Sequence, residues 1–495
     1  MVDLVSQIVR EQGLREPTTQ DEATEWLAYG HIEDIIASGG EDGPLERSIG
    51  LWQLTAIGLG AIIGAGIFAL TGTVAHDTAG PAVSVSFLIA GVASACAALS
   101  YAEFGGMIPQ AGSAYTYGYA VLGEGVGWFI GWDLLLEYTA IVGVVAIGIS
   151  QYVLFLVQAA GLDLPTWMLG APDGKGHVVN LFAVVLCLGV AWLLNRGMRT
   201  SAKVETWLVF VKIAIVLAVI VVGAFYLKPS NLTPYFPFGF GGAATGAATV
   251  FFAVFGYDAM STAAEESKEA ERNLPRAIVL SLAIAMVLYL LAVTVLTGMI
   301  KYTDIDPSAA YSEAFKTVGL SGFADVVAVG AIVGIITVLF SFMLGASRVW
   351  YAISRDGLLP GWFARTNQHR SPHRPVWVVG LISAVFAGFL PIDLVAELTN
   401  IGILLAFVVV SAAVIVLRRR SPDIERTFRV PFMPLTPLLG IAFSLWLVSK
   451  LSWETWVRFL AWFVVGALVY AFYGYRNSRL GRGEAIEGDP EADLR

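Results

Sequence analysis

Gly58-Leu59-Gly60-Ala61-Ile62-Ile63-Gly64-Ala65-Gly66-Ile67-Phe68 lies inside the first long apolar run of the chain and sets four glycines among nine residues. Each glycine costs a helix interior about 1 kcal/mol relative to alanine. Three readings compete. A dinucleotide-binding fingerprint needs a preceding strand and a βαβ unit, and neither is present. Close helix packing through Gly60 and Gly64, spaced as GxxxG, is the bland alternative. The third is a helix that unwinds inside the membrane and offers its backbone to a ligand.

A second stretch favours the third reading. Phe251-Phe252-Ala253-Val254-Phe255-Gly256-Tyr257-Asp258-Ala259-Met260-Ser261-Thr262 breaks an apolar run at Gly256 and continues with small or polar residues. If spans 1–5 and 6–10 are two halves, both breaks occupy corresponding places, the best sequence pointer to an inverted-repeat transporter site. Unpaired backbone at membrane depth is tolerated only where it lines a cavity or is covered by protein. A half-helix N-terminus offers N–H donors to an anion, and freed carbonyls accept from a cation. An α-amino acid carries both groups close together. Ile62, Ile63, Gly64, Ala65 and Gly66 on one side, with Phe252, Ala253, Phe255 and Gly256 on the other, are the candidate substrate-binding residues.

Composition agrees. Of 495 residues, 57% are hydrophobic and 14% charged, which places the chain in the membrane class. Apolar runs of about 20 residues, the length needed to span, fall near 51–73, 82–107, 119–157, 178–195, 202–227, 244–263, 276–300, 323–351, 375–391, 396–417, 433–450 and 455–474. The expected class is an all-α membrane protein of about 12 transmembrane helices. Alternate loops are rich in arginine: Arg196 and Arg199; Lys268, Arg272 and Arg276; Arg355, Arg365, Arg370 and Arg374; Arg418, Arg419, Arg420, Arg426 and Arg429; and Arg476, Arg479 and Arg482. The positive-inside rule puts that side, and both termini, in the cytoplasm. The expected divisions are a cytoplasmic tail over 1–49, a ten-helix core over 50–417, two further helices over 418–475 and a tail over 476–495. An amphipathic stretch around residues 25–36 is open between a membrane-surface helix and a loose tail.

The net charge of −9 offers no basic face for nucleic acid. Cys96 and Cys187 both sit in apolar runs and read as small packing residues. His31, His76, His177, His369 and His373 all lie outside the spans, against a metal site or histidine relay in the membrane. No nucleophile–base pair appears within the spans, so no enzymatic activity is expected.

Further motifs carry a family resemblance. The stretch Gly60–Phe68 resembles the first-helix motif of the amino acid–polyamine–organocation superfamily. Ala259-Met260-Ser261-Thr262-Ala263-Ala264-Glu265-Glu266 with Asn273-Leu274-Pro275 is similar to its cationic amino acid transporter branch. So are Tyr101-Ala102-Glu103-Phe104, Pro109-Gln110-Ala111-Gly112-Ser113-Ala114-Tyr115, and Ser347-Arg348 through Arg355-Asp356-Gly357-Leu358-Leu359-Pro360. The resemblance covers about 45–475. It implies a LeuT-like five-plus-five inverted repeat, unwound in helices 1 and 6, with two added helices. It implies a substrate carboxylate at the amides near Ala65 and Gly66, and an ammonium at the carbonyls of Ile62, Ala253 and Phe255. Phe252 matches an aromatic that closes over substrate from outside. Ala65 stands where some relatives have serine.

Lys203 is evenly balanced on its residues between a snorkelling lysine near the cytoplasmic end and a functional one. The resemblance favours the second: a lysine in the space sodium takes in sodium-coupled cousins, bridging carbonyls near Gly60 to span eight and carrying the coupled proton. Asp133 and Glu137, one turn apart, share a face; Glu137 matches a family glutamate and is assigned to the pocket or proton path. Glu103 reads as structural or gating. Asp258 is open between lining the cavity and capping the lower half-helix, with capping the simpler reading. Met343 is a possible pocket residue. The implied activity is proton-coupled amino acid symport at the cell membrane without a cofactor. Sodium-independent exchange is the alternative, and a non-transporting amino acid sensor is that of another class. Free amino acid and membrane lipid are the expected partners; on a small membrane subunit the sequence is silent.

Overall fold

The structure is a computed structural model that describes residues 49–107, 113–172, 176–196, 202–258, 260, 267–365 and 372–478. The amphipathic stretch near residues 25–36, residues 261–266 of the second break and the tail beyond 478 lie outside the described residues. Among the described residues the architecture is helical, with isolated bridges at Ile49–Ser267 and Leu169–Asn180.

The helices that matter are α1 (Leu51–Ile62), α2 (Val83–Met107), α3 (Ser113–Leu122), α4 (Glu124–Ala159), α5 (Leu181–Asn195), α6 (Ala202–Ala224), α7 (Gly239–Val250), α8 (Ala270–Met299), α9 (Ala310–Thr317), α10 (Ser321–Arg355), α11 (His373–Phe389), α12 (Ile392–Arg420), α13 (Leu435–Val448) and α14 (Trp453–Val469). Among the described residues, seven helical stretches are long and apolar enough to cross a membrane, and four shorter apolar helices accompany them. One of the seven, Leu51–Met107, runs to 57 residues, far beyond a single span of about 20. It bends back at a 3-10 turn, Gly80–Ala82, where Pro81 removes a helix donor.

Two groups pack tightly within themselves. In one, α8 lies against α2 and α1, and α7 against α2. In the other, α4 lies against α10, and α11 against α5 and α4. Between them, α6 touches α1, α8 and α10, while α12 runs along α4 and α2. The interior is apolar and aromatic, and helix exteriors carry apolar side chains such as Trp207, Phe225, Phe472 and Tyr475. In water such a surface would aggregate; in lipid it is the solvated face.

The ends of the helices are fixed by polar pins. Lys268 N donates to the Ile49 carbonyl at 2.8 Å, tying the start of α1 to the approach to α8. Glu103, fully buried near the end of α2, accepts from Arg418 Nε at 2.8 Å, Arg418 Nη2 at 2.5 Å and Val430 N at 2.7 Å. Arg426 Nε lies 3.3 Å from the same carboxylate. Glu103 is therefore a structural tie between α2, the end of α12 and the segment that follows. Elsewhere, Trp132 and Trp462 donate to each other's backbone carbonyls at 2.9 and 3.0 Å and stack at 4.5 Å, which docks α14 on α4.

Removing one partner of a buried ionic cluster leaves uncompensated charge, at a cost of about 3–5 kcal/mol. Glu103→Ala should lower the thermal unfolding midpoint of the detergent-purified protein by several degrees, measured by tryptophan fluorescence. An unchanged midpoint would mean that the tie carries no stability.

Candidate substrate site at two broken helices

Helix α1 stops at Ile62. Ile63 takes an extended conformation (φ −76, ψ 100), and helical structure resumes in a wide π turn over Gly66–Leu70. A helix end leaves its last four carbonyls without helical donors. Here Leu59 O accepts from Ile63 N at 2.8 Å, Gly60 O from Lys212 Nζ at 2.6 Å and Ile62 O from the Tyr289 hydroxyl at 2.8 Å. Helix α7 ends at Val250, continues as a 3-10 turn over Phe251–Val254, and opens at Phe255 (φ −98, ψ 164) and Gly256 (φ +124). Its carbonyls are answered too: Asn400 Nδ2 donates to Ala248 O at 2.8 Å and Thr249 O at 3.0 Å, and Ser94 Oγ to Val254 O at 2.9 Å.

The two breaks face each other. A β-carbon on Gly66 would stand 2.3 Å from Ala253 Cα, and one on Gly256 would stand 2.8 Å from the Ala61 carbonyl carbon. At Gly256 the positive φ adds a second demand that only glycine meets without strain. Next to this crossing is a small pocket lined by Ala61, Ile62, Gly64, Ala65, Gly66, Ile141, Phe252, Phe255, Val338 and Phe342. The C-terminal end of α1 brings partial negative charge to it, and the N-terminal end of the helix resumed at Gly66 brings partial positive charge. A ligand with an ammonium beside a carboxylate matches that pairing. The remaining walls, Ile141, Val338 and Phe342, are apolar.

Of the residues read from the sequence, Ile62, Gly64, Ala65, Gly66, Phe252 and Phe255 line this pocket. Ile63, Ala253 and Gly256 form the backbone around it. Ala61, Ile141, Val338 and Phe342 were missed. Val338 and Phe342 are one turn apart on α10, so they share a face. Met343, the residue proposed from sequence, is rotated about 100° from Phe342 and is buried in the packing beyond the lining.

The lysine needs a correction. The ammonium that meets the Gly60 carbonyl belongs to Lys212, not Lys203. Lys203 starts α6, its side chain outside the described residues, about 13 Å from Lys212 along the axis at 1.5 Å per residue. Lys212 is fully buried, and its stem runs past Gly334 of α10. Its signal in the sequence was plain: a lone charge between Trp207 and Ala224 in an otherwise apolar run.

The carboxylates lie beside the pocket rather than in its lining. Glu137 is one turn from Ile141; its two oxygens, and Asp133 Oδ1, find no hydrogen-bond donor among the described residues. Gly402 of α12 packs against both side chains. Asp258 accepts a hydrogen bond from the Tyr138 hydroxyl, which links the second break to α4. The cap that Asp258 was expected to form involves residues outside the described ones. Among the described residues no group of three His, Cys, Asp or Glu side chains stands ready to hold a metal ion.

The amino acid permease family profile matches residues 49–477. The chain belongs to the amino acid permease family. The permease is 42% identical over 451 residues to the methylthioribose transporter of Bacillus subtilis (strain 168), covering 91% of this chain and 98% of that one. It is 41% identical over 456 residues to the branched-chain amino acid permease BcaP of the same organism, again over 91% and 98%. It is 30% identical over 567 residues to cationic amino acid transporter 4 of Mus musculus, over 90% and 89%. The permease is thus a multi-pass membrane transporter.

Gly256→Ala forces a methyl group onto the Ala61 backbone and should part the two breaks. The variant is expected to lose amino acid binding, measured by scintillation proximity on purified protein; wild-type binding would show that the crossing does not shape the site.

Proposed function

We propose that the permease is a proton-coupled symporter of neutral amino acids with aliphatic side chains, working by alternating access in the cell membrane. The observation that carries this reading is the facing pair of broken helices, which sets carbonyls and N–H groups of opposite polarity beside an apolar pocket. The polarity suits a zwitterion; the walls suit an uncharged side chain. Relatives of nearly equal similarity bear names for a thioether sugar and for branched-chain amino acids. An uncharged sugar would leave the pairing of helix ends unused, which favours the amino acid. A cationic side chain would want an acceptor in the lining, and Glu137 stands outside it.

The proposed architecture is a five-plus-five inverted repeat with two added helices and twelve passes, both termini cytoplasmic. Supporting it are the bend that divides Leu51–Met107 into two passes, the six other long stretches and four shorter helices, and the corresponding places of the breaks. The group α1, α2, α7 and α8 would rock against α4, α5, α10 and α11. Coupling is assigned to Lys212, whose ammonium joins α6 to the broken end of α1. A lysine there does the work of a bound cation, and losing its proton would weaken its hold on the Gly60 carbonyl. Glu137 is assigned to the proton path. Sodium-independent exchange is the second reading: if Lys212 keeps its proton throughout, it is a fixed strut and no ion moves.

Uptake into proteoliposomes separates the two. A pH gradient alone should drive accumulation of leucine, isoleucine or valine. Uptake that appears only with substrate preloaded inside supports exchange. Lys212→Ala should abolish gradient-driven accumulation, while Lys203→Ala keeps it; accumulation surviving in Lys212→Ala refutes the assignment. The pocket makes its own forecast. Val338→Phe should depress leucine uptake about tenfold, as expected for overfilling worth 1–3 kcal/mol, and alanine uptake much less. Equal losses for both would place the side chain elsewhere.

A further inference from the structure

We infer that Tyr289 is a positioning residue for substrate recognition: its hydroxyl holds the Ile62 carbonyl in the orientation that receives the substrate ammonium. This rests on the amino acid reading above. Tyr289 lies on α8, fully buried, and is absent from the pocket lining. Its hydroxyl donates to Ile62 O at 2.8 Å. Its ring sits edge-on to Phe87 of α2 at 5.5 Å, which fixes where the hydroxyl points.

The Ile62 peptide needs such a hold. It closes α1, and the extended Ile63 carries the chain away before a helical N–H can return to it. A peptide at a helix end with no donor is free to tilt. A carbonyl oxygen has two lone pairs. Tyr289 engages one from the α8 side, and the other remains for a ligand in the pocket that Ile62 lines. The arrangement parallels Lys212 at Gly60 O and the Tyr152 hydroxyl at Phe68 O, 2.8 Å apart, on the other side of the break. Tyr289 differs in acting on a residue that lines the pocket. It sets the ammonium acceptor without touching the ammonium.

Tyr289→Phe keeps the ring and removes the hydroxyl. In proteoliposomes of the full chain, wild-type leucine uptake comes first; its absence would defeat the amino acid reading, not this one. Given that uptake, Tyr289→Phe should raise the KM for leucine about tenfold, the loss of one well-placed hydrogen bond, with Vmax largely kept. Competition adds a readout that general loosening would not move. The wild-type preference for leucine over 2-hydroxy-4-methylpentanoate, which has a hydroxyl in place of the ammonium, should narrow about tenfold. Phe87→Leu loosens the ring packing but leaves the hydroxyl, and should keep the preference. An unchanged KM in Tyr289→Phe, equal weakening of both ligands, or the same loss of preference in Phe87→Leu would each overturn the inference.

Discussion

Main-chain groups freed inside a lipid-embedded protein must find partners, and this constraint organises the permease. Water is absent, and an unanswered carbonyl or N–H costs several kcal/mol. Two helices break here, so the surrounding helices supply donors: Lys212 from α6, Tyr289 from α8, Ser94 from α2, Asn400 from α12 and Tyr152 from α4. Each hydrogen bond sets the register of one helix against a break. The polar chemistry of the site and the packing of the bundle are thus the same set of contacts.

The same contacts show where motion has to act. Within each of the two helix groups the packing is dense and apolar, and such interfaces shift as bodies rather than deform. The contacts between groups are fewer. Tyr138 ties α4 to Asp258 beyond the second break and Val338 of α10 presses on Gly64, while Lys212 ties the intervening α6 to α1. On the alternating-access reading these contacts have to rearrange. Glu103 with its arginines, and the Trp132–Trp462 pair, lie at the periphery and hold α12 and α14 in place.

On the proposed function, substrate selection would divide between backbone and side chains: the backbone ends suit what all α-amino acids share, and the walls formed by Ile141, Val338 and Phe342 suit what differs.

The sequence alone determined the class and the places where the helices break. Apolar runs of spanning length, arginine in alternate loops and glycines at two corresponding places need no tertiary knowledge, because they answer to lipid and to local backbone cost. Tertiary structure decided which side chains serve the breaks. Lys203 and Lys212 lie on the same helix, and only packing shows which one reaches the Gly60 carbonyl. Phe342 and Met343 are neighbours in sequence, and only the rotation of α10 turns one toward the pocket and the other into the core. Ile141 and Tyr289 read as ordinary core residues until α4 and α8 are set beside the break. The physical reason is tertiary for the pocket walls Phe342 and Ile141, which helix rotation and placement bring to the break, and for the closing donors Lys212 and Tyr289 alike. A local pattern fixes where a backbone group is left open, but the partner that closes it comes from another helix at a depth and angle that only packing sets.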